Sequence, residues 1–197
     1  MKNPSESDRE EPVNPYPKIN WSTISLEDLA GFLSEELLKR GIKTYLVGGA
    51  CVTIYSHNRY QSYDLDFVTY EDMRKVKKAL IALGFQAKNR YFTHSECKWF
   101  VEFVSPPVAV GNQSITQFEQ RVSRLGTICM LRPVDSVKDR LASYFHWNDR
   151  QGLEQAIDIC LECAIDLNEV EEWSISEGHK EKYSSFISAL SEKKKPD

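Results

Sequence analysis

The sequence lacks an apolar run long enough to cross a bilayer. Neither residues 44 to 58 nor residues 103 to 118, its long stretches without a charged side chain, reach the roughly 20 residues a membrane helix needs. Residues 1 to 11 are polar and acidic and hold no apolar core of a secretory leader, so no membrane partner is expected. An excess of positive charge is also missing. Lys and Arg total 25 against 29 Asp and Glu, a net charge of -4, which excludes binding of nucleic acid through bulk charge but leaves room for a local basic patch. Cysteine is sparse and odd in number, five in 197 residues, so a disulfide framework is excluded and reduced thiols in a cytoplasmic protein are expected. The four histidines (57, 94, 146, 179) have no metal-binding spacing, and Cys160-x-x-Cys163 lacks a second pair, so no zinc site is expected. There is no internal repeat.

What remains is an ordinary globular composition, 41% hydrophobic and 27% charged, in a chain whose folding removes roughly 70% of its accessible surface. Residues 1 to 20 hold four of the eight prolines and predict a flexible arm, and the charged residues 192 to 197 predict a tail. Between them the pattern divides. Residues 21 to 132 mix helical and strand periodicities. Leu26, Leu29, Leu33 and Leu37 predict a helix opened by Ser25 and stopped at Gly41. Residues 44 to 47 and 64 to 70 predict strands, with a helix over 71 to 83. Further strands are predicted at 85 to 88, 91 to 93, 98 to 104, 117 to 122 and 127 to 131. Residues 133 to 191 read as helices over 134 to 146, 150 to 164, 167 to 174 and 178 to 191. The expectation is an α+β fold, a mixed sheet with flanking helices followed by a helical C-terminal lobe, with a cleft between the lobes as the natural ligand site.

The chemistry concentrates in three short segments. Leu46-Val47-Gly48-Gly49 ends a strand in a glycine pair, Asp64-Leu65-Asp66-Phe67 follows, and Val101-Glu102-Phe103 comes later. Residues i and i+2 of a strand share a face, so Asp64 and Asp66 project together while Leu65 and Phe67 turn to the core. If the strand carrying Glu102 pairs beside them, three carboxylates meet on one surface. Such a group repels itself unless a cation neutralises it, and its hard oxygens suit Mg²⁺ or Mn²⁺. The glycine pair lets backbone N–H groups approach a phosphate, aided by the positive end of the following helix. Triphosphate on the glycines and metal on the acids are the parts of nucleotidyl transfer. Each motif also has a plainer reading: a turn at the glycines, an exposed strand end whose acids cap a turn, and an outward charge on an edge strand.

The ordered set, hydrophobic-Gly-Gly, Asp-hydrophobic-Asp, then hydrophobic-Glu-hydrophobic, resembles the polymerase β-type nucleotidyltransferase superfamily. Ser62 to Phe67, with Lys138-Asp139-Arg140-Leu141 and Tyr144 to Arg150, resembles its small bacterial members related to AbiEii-type toxins. The resemblance spans roughly residues 25 to 165. It implies Gly48 and Gly49 on the nucleotide phosphates, Asp64 and Asp66 bridging metals, and Glu102 completing the site on the acceptor side. It also implies nucleotide-binding roles for Lys138 and Asp149. The interval from Gly49 to Asp64 is long for that superfamily, so the loop over 56 to 63 is expected to be reshaped.

The function expected is metal-dependent transfer of an NMP from an NTP to an acceptor hydroxyl, on an RNA or tRNA end or a protein side chain, in a toxin held by an antitoxin. Two alternatives stand beside it: a non-catalytic nucleotide- or partner-binding module, and a nucleotidyltransferase acting on a small molecule such as an antibiotic. A stripe of Arg121, Arg124, Arg132, Lys138 and Arg140 would favour RNA. Tyr144, His146 and Trp147 either pack in the core, the expected outcome, or stack on a base.

Overall fold

The leucines spaced at helical intervals lie on the buried face of α1, Leu26–Lys39, in the computed structural model, which describes residues 19 to 194. Ser25 opens this helix by accepting from the backbone N–H of Asp28 at 3.1 Å, while its hydroxyl donates to the Asp28 carboxylate at 2.7 Å. The first eighteen residues of the expected arm and residues 195 to 197 of the expected tail lie outside the described residues. Just after them Ile19 and Trp21 are buried.

The chain continues through β1 (Tyr45–Val47), α2 (Gly49–Tyr55), β2 (Asp64–Val68), α3 (Met73–Ala82), β3 (Gln86–Lys88), β4 (Tyr91–Thr93) and β5 (Phe100–Val104). A short hairpin follows, β6 (Ala109–Val110) and β7 (Gln113–Ser114), then β8 (Phe118–Val122) and β9 (Thr127–Leu131). Four helices close the chain: α4 (Pro133–Trp147), α5 (Arg150–Glu162), α6 (Leu167–Ser176) and α7 (Lys180–Lys193). Seven strands form one mixed sheet in the order β3-β4-β5-β2-β1-β9-β8. The mixed sheet with helices expected from the sequence is the fold observed.

Alternation sets the two faces of the central strand β2. Leu65 and Phe67 are fully buried, while Asp64 and Asp66 are only partly covered on the other face. β2 lies antiparallel to β1 and parallel to β5, with Asp66 opposite Glu102 and Val47 opposite Asp66. The buried apolar side chains join into one cluster running from Ile19 to Leu190.

Two elements depart from the sequence expectation. The β6–β7 hairpin turns on Gly111 and Asn112, between the strands predicted at 98 to 104 and 117 to 122, where the sequence reading places no strand. Two-residue strands are too short to display a period. At the other end α7 runs through Lys193, so residues 192 and 193 are helical rather than part of a tail. Among the described residues no helix is long and apolar enough to cross a membrane.

One buried hydrogen bond ties α2 to the sheet. The Tyr55 hydroxyl donates to the Leu131 carbonyl at 2.6 Å. Tyr55→Phe should cost about 1 to 3 kcal/mol of stability, since it withdraws a donor from a buried carbonyl, with a lowered urea midpoint at unchanged m-value as the readout.

Candidate functional site

Three carboxylates converge where β1, β2 and β5 lie side by side. Asp64, Asp66 and Glu102 each offer a carboxylate oxygen, and these oxygens all lie within 4.8 Å of one another. The parallel register supplies the third acid by placing Glu102 directly beside Asp66.

On the other side of Asp66 the chain leaves β1 through Gly48, in backbone with φ 68° and ψ -148°. A Cβ built there would stand 2.6 Å from the Asp66 Oδ2 atom. Only glycine combines that backbone with that approach. The helix that follows, α2, spans seven residues, buried from Ala50 onward, so its dipole is that of about two turns. Gly48 and Glu102 thus flank Asp66 on opposite sides.

Crowding like charges into partly apolar surroundings raises the energy of the ionised form. Burial, then the neighbouring Asp64 and Glu102, push the Asp66 carboxyl up to about 7, opposed by the Arg140 guanidinium. Asp64 is held by the loop that precedes it. The Ser62 hydroxyl donates to Asp64 Oδ1 at 2.7 Å, the Ser62 backbone N–H donates to Thr53 Oγ1 at 2.9 Å, and the Thr53 hydroxyl donates to the Gly49 carbonyl at 3.2 Å. This chain of bonds anchors the long loop to α2 and aims the first acid. Ser62 is buried and was not singled out as a site residue, although a serine two places before an acid is a local capping signal.

Lys138 and Asp149 are engaged elsewhere. The Lys138 side chain is only 1% exposed, and its ammonium donates to Glu169 Oε1 at 2.8 Å and to Gln113 Oε1 at 3.3 Å. That contact, against the effect of burial, holds the Glu169 carboxyl below its usual range. Asp149 caps α5 by accepting from the Gln151 backbone N–H at 3.0 Å. From α4 it is Arg140 and Asp139 that act on Asp66. Helical periodicity alone could not say which of three consecutive charged residues faces the sheet.

The cations of the expected basic stripe are each paired with an acid: Arg121 with Glu27, Arg124 with Asp28, Arg132 with Asp135 and Glu169, Lys138 with Glu169, and Arg140 with Asp139. Arg59 pairs with Glu162. Trp147, expected in the core, is 76% exposed. It borders a cavity of about 640 Å³ lined also by Asn112, Asp139, Ser143, His146 and Glu177. A neighbouring cavity of about 430 Å³ shares Asn112 and Glu177 and reaches Lys138 and Trp173. The β6–β7 turn is pinned between them, with the Asn112 backbone N–H donating to Glu177 Oε1 at 2.9 Å. The five cysteines are free thiols.

No protein-family model and no curated protein matches the sequence. Solved structures do match by fold. An antigenic nucleotidyltransferase-like protein from Paracoccidioides brasiliensis superposes with a TM-score of 0.60 at 12% identity, over 88% of this chain and 90% of that one. The antibiotic-resistance factor ANT(2'')-Ia matches in its solution structure with a TM-score of 0.46 at 11% identity, over 85% and 95% of the two chains. In its crystal complex with adenylyl-2''-tobramycin it matches at 0.45 and 12%, over 82% and 94%. What the chain shares with the first of these, at 12% identity, is a nucleotidyltransferase-like fold.

Proposed function

We propose that this protein is a metal-dependent nucleotidyltransferase that transfers an NMP from an NTP to an acceptor hydroxyl. The observation that carries this reading is the meeting of Asp64, Asp66 and Glu102 beside the Gly48 backbone. The donor set fits a small divalent cation. All three ligands are hard carboxylate oxygens close enough to share an ion. Burial and like charge make the ionised Asp66 costly in the ion-free site, and a bound cation would relieve that cost.

Asp64, Asp66 and Glu102 would hold Mg²⁺ or Mn²⁺, which when bound lowers the pKa of an attacking hydroxyl and stabilises the leaving pyrophosphate. The remaining work falls to the chain. Gly48 and Gly49, bare of side chains, admit the triphosphate against the backbone. Glu102, on the opposite side of Asp66, accepts the proton of the acceptor hydroxyl as its oxygen attacks the α-phosphorus. The bond from that phosphorus to the pyrophosphate then breaks. Ser62 keeps Asp64 aimed, and Arg140 offsets part of the charge around Asp66. The larger cavity beside α4 is of a size usual for small-ligand sites and is bounded by Asp139, whose charge acts on Asp66, so it is where the acceptor would sit.

The acceptor is one of three classes: an RNA or tRNA end, a protein side chain, or a small molecule. The pairing of the stripe cations favours the last two, because RNA phosphates would have to compete with six established ion pairs. A growth-inhibiting role under an antitoxin belongs to this reading if the acceptor is an essential RNA or protein. The test is incubation with each α-³²P-labelled NTP and Mg²⁺ in the presence of total RNA, lysate protein or a small-molecule extract. Label should enter one class and vanish with EDTA. Label in none of them, alongside unimpaired NTP binding, would instead establish the non-catalytic nucleotide-binding module.

A further inference from the structure

We propose that Arg90 is a built-in counter-ion of the carboxylate triad, one that a divalent cation must displace. This rests on the reading that the triad holds such a cation. The β3–β4 hairpin reverses at Asn89, in left-handed backbone with φ 56°, and Arg90 follows it. β4 lies antiparallel to β5 with Tyr91 opposite Glu102, so the arginine next to Tyr91 overhangs the acid that completes the triad. Its Nε atom stands 3.3 Å from Glu102 Oε1. The rest of the guanidinium is steadied by the Tyr91 hydroxyl, which accepts from Nη2, and by the Tyr91 ring, 4.8 Å from the guanidinium carbon.

The field of Arg90 extends to Asp66 as well as to Glu102. The other cation acting on Asp66, Arg140, is already bound to Asp139. Arg90 is therefore the cation in direct contact with the triad among the described residues.

Contact and displacement are both cheap here. The Arg90 side chain is 70% exposed while Glu102 is 16% exposed, so the pair is solvent-screened on one side and weak. A guanidinium and a divalent cation cannot both sit against Glu102 without strong mutual repulsion. Entry of the ion expels Arg90 into water, where its long side chain is readily solvated. The exchange swaps one counter-charge for a stronger one and leaves the acids in place.

The test measures metal binding directly, apart from any turnover. Mn²⁺ is titrated into the full-length protein by calorimetry, with free Mn²⁺ followed by EPR, for the wild type, Arg90→Gln, Arg90→Lys and Asp66→Asn. Arg90→Gln should bind Mn²⁺ about two- to five-fold more tightly than the wild type. Arg90→Lys, which keeps the charge, should stay near the wild type, and Asp66→Asn should lose the site. In the wild type the Arg90 Nε resonance should shift on saturation with diamagnetic Mg²⁺. Equal or weaker Mn²⁺ binding by Arg90→Gln, or an Nε resonance indifferent to Mg²⁺, overturns the proposal while leaving the metal site intact. No Mn²⁺ binding by the wild type removes the metal-dependent reading itself, and this inference with it.

Discussion

Asn in place of Asp66 should reduce nucleotidyl transfer by about 10³-fold or more, the loss expected when several kcal/mol of charge stabilisation disappears from the transition state, and should at the same time make the EDTA-treated protein more stable at pH 8. Asp66 is the central acid, beside Glu102 on one strand and beside the Gly48 backbone on the other, so no neighbour can replace its oxygens. Burial and the adjacent acids raise its folded-state carboxyl from 3.8 to about 7. With a raised pKa the folded chain binds more protons than the unfolded one between those values. Without metal, wild-type stability therefore falls as pH climbs through this window, and the loss is complete above about 7. Asparagine does not titrate and escapes it. The gain at pH 8 should be at most about 4 kcal/mol, the free-energy equivalent of a shift of that size, and should vanish near pH 4. Mg²⁺ should reverse the order by stabilising the wild type through mass action while leaving the variant unmoved. Urea unfolding at pH 5 and pH 8, with EDTA or Mg²⁺, reads all four limbs. A variant no more stable than the wild type at pH 8 in EDTA would contradict the electrostatic argument, and retained transfer would contradict the mechanism.

Gly48→Ala should be the most damaging exchange that adds a single methyl group. Its cost has two parts. Backbone at φ 68° and ψ -148° is a region essentially reserved for glycine, worth about 1 to 3 kcal/mol of strain for any other residue. The new Cβ would also stand 2.6 Å from Asp66 Oδ2, so either the turn or the carboxylate must move. The protein should unfold at lower urea and lose Mn²⁺ binding and transfer together. Gly49→Ala is the comparison: its Cβ would meet the Ser62 hydroxyl at 2.9 Å, in backbone without a positive φ. That exchange should disturb the Asp64 side of the site but spare most of the stability. Near-equal effects of the two substitutions would show that backbone conformation is not the controlling feature.

Local signals made much of this architecture readable. Ser25 and Gly41 bracket the first helix because caps act on adjacent backbone. The DLDFV segment divides into acids on one face and apolar residues on the other because a strand alternates. What the sequence hid depends on distant partners. The burial of Lys138 against Glu169 joins residues thirty-one apart, and the arrival of Arg90 at Glu102 depends on the register of a hairpin. Trp147 looked like core until helix geometry decided it. Val137, Leu141 and Phe145 are buried at intervals of four, and a residue two places past Phe145 turns about 200° away from that stripe. The β6–β7 hairpin was missed for want of length rather than of signal, since its Gly-Asn pair is an ordinary turn sequence.

The parallel seam between β2 and β5 carries one more implication. Val101 and Leu65 face each other fully buried, and Glu102 and Asp66 face each other on the open side. If β5 slid along β2 by a single residue, its side chains would exchange faces. Glu102 would then be forced into the apolar interior without a partner, at a cost of several kcal/mol. The acid assigned to chemistry is thereby also a guard on strand alignment. A chain that misaligned its central strands would be rejected by the energetics of its own interior before it could present a faulty site.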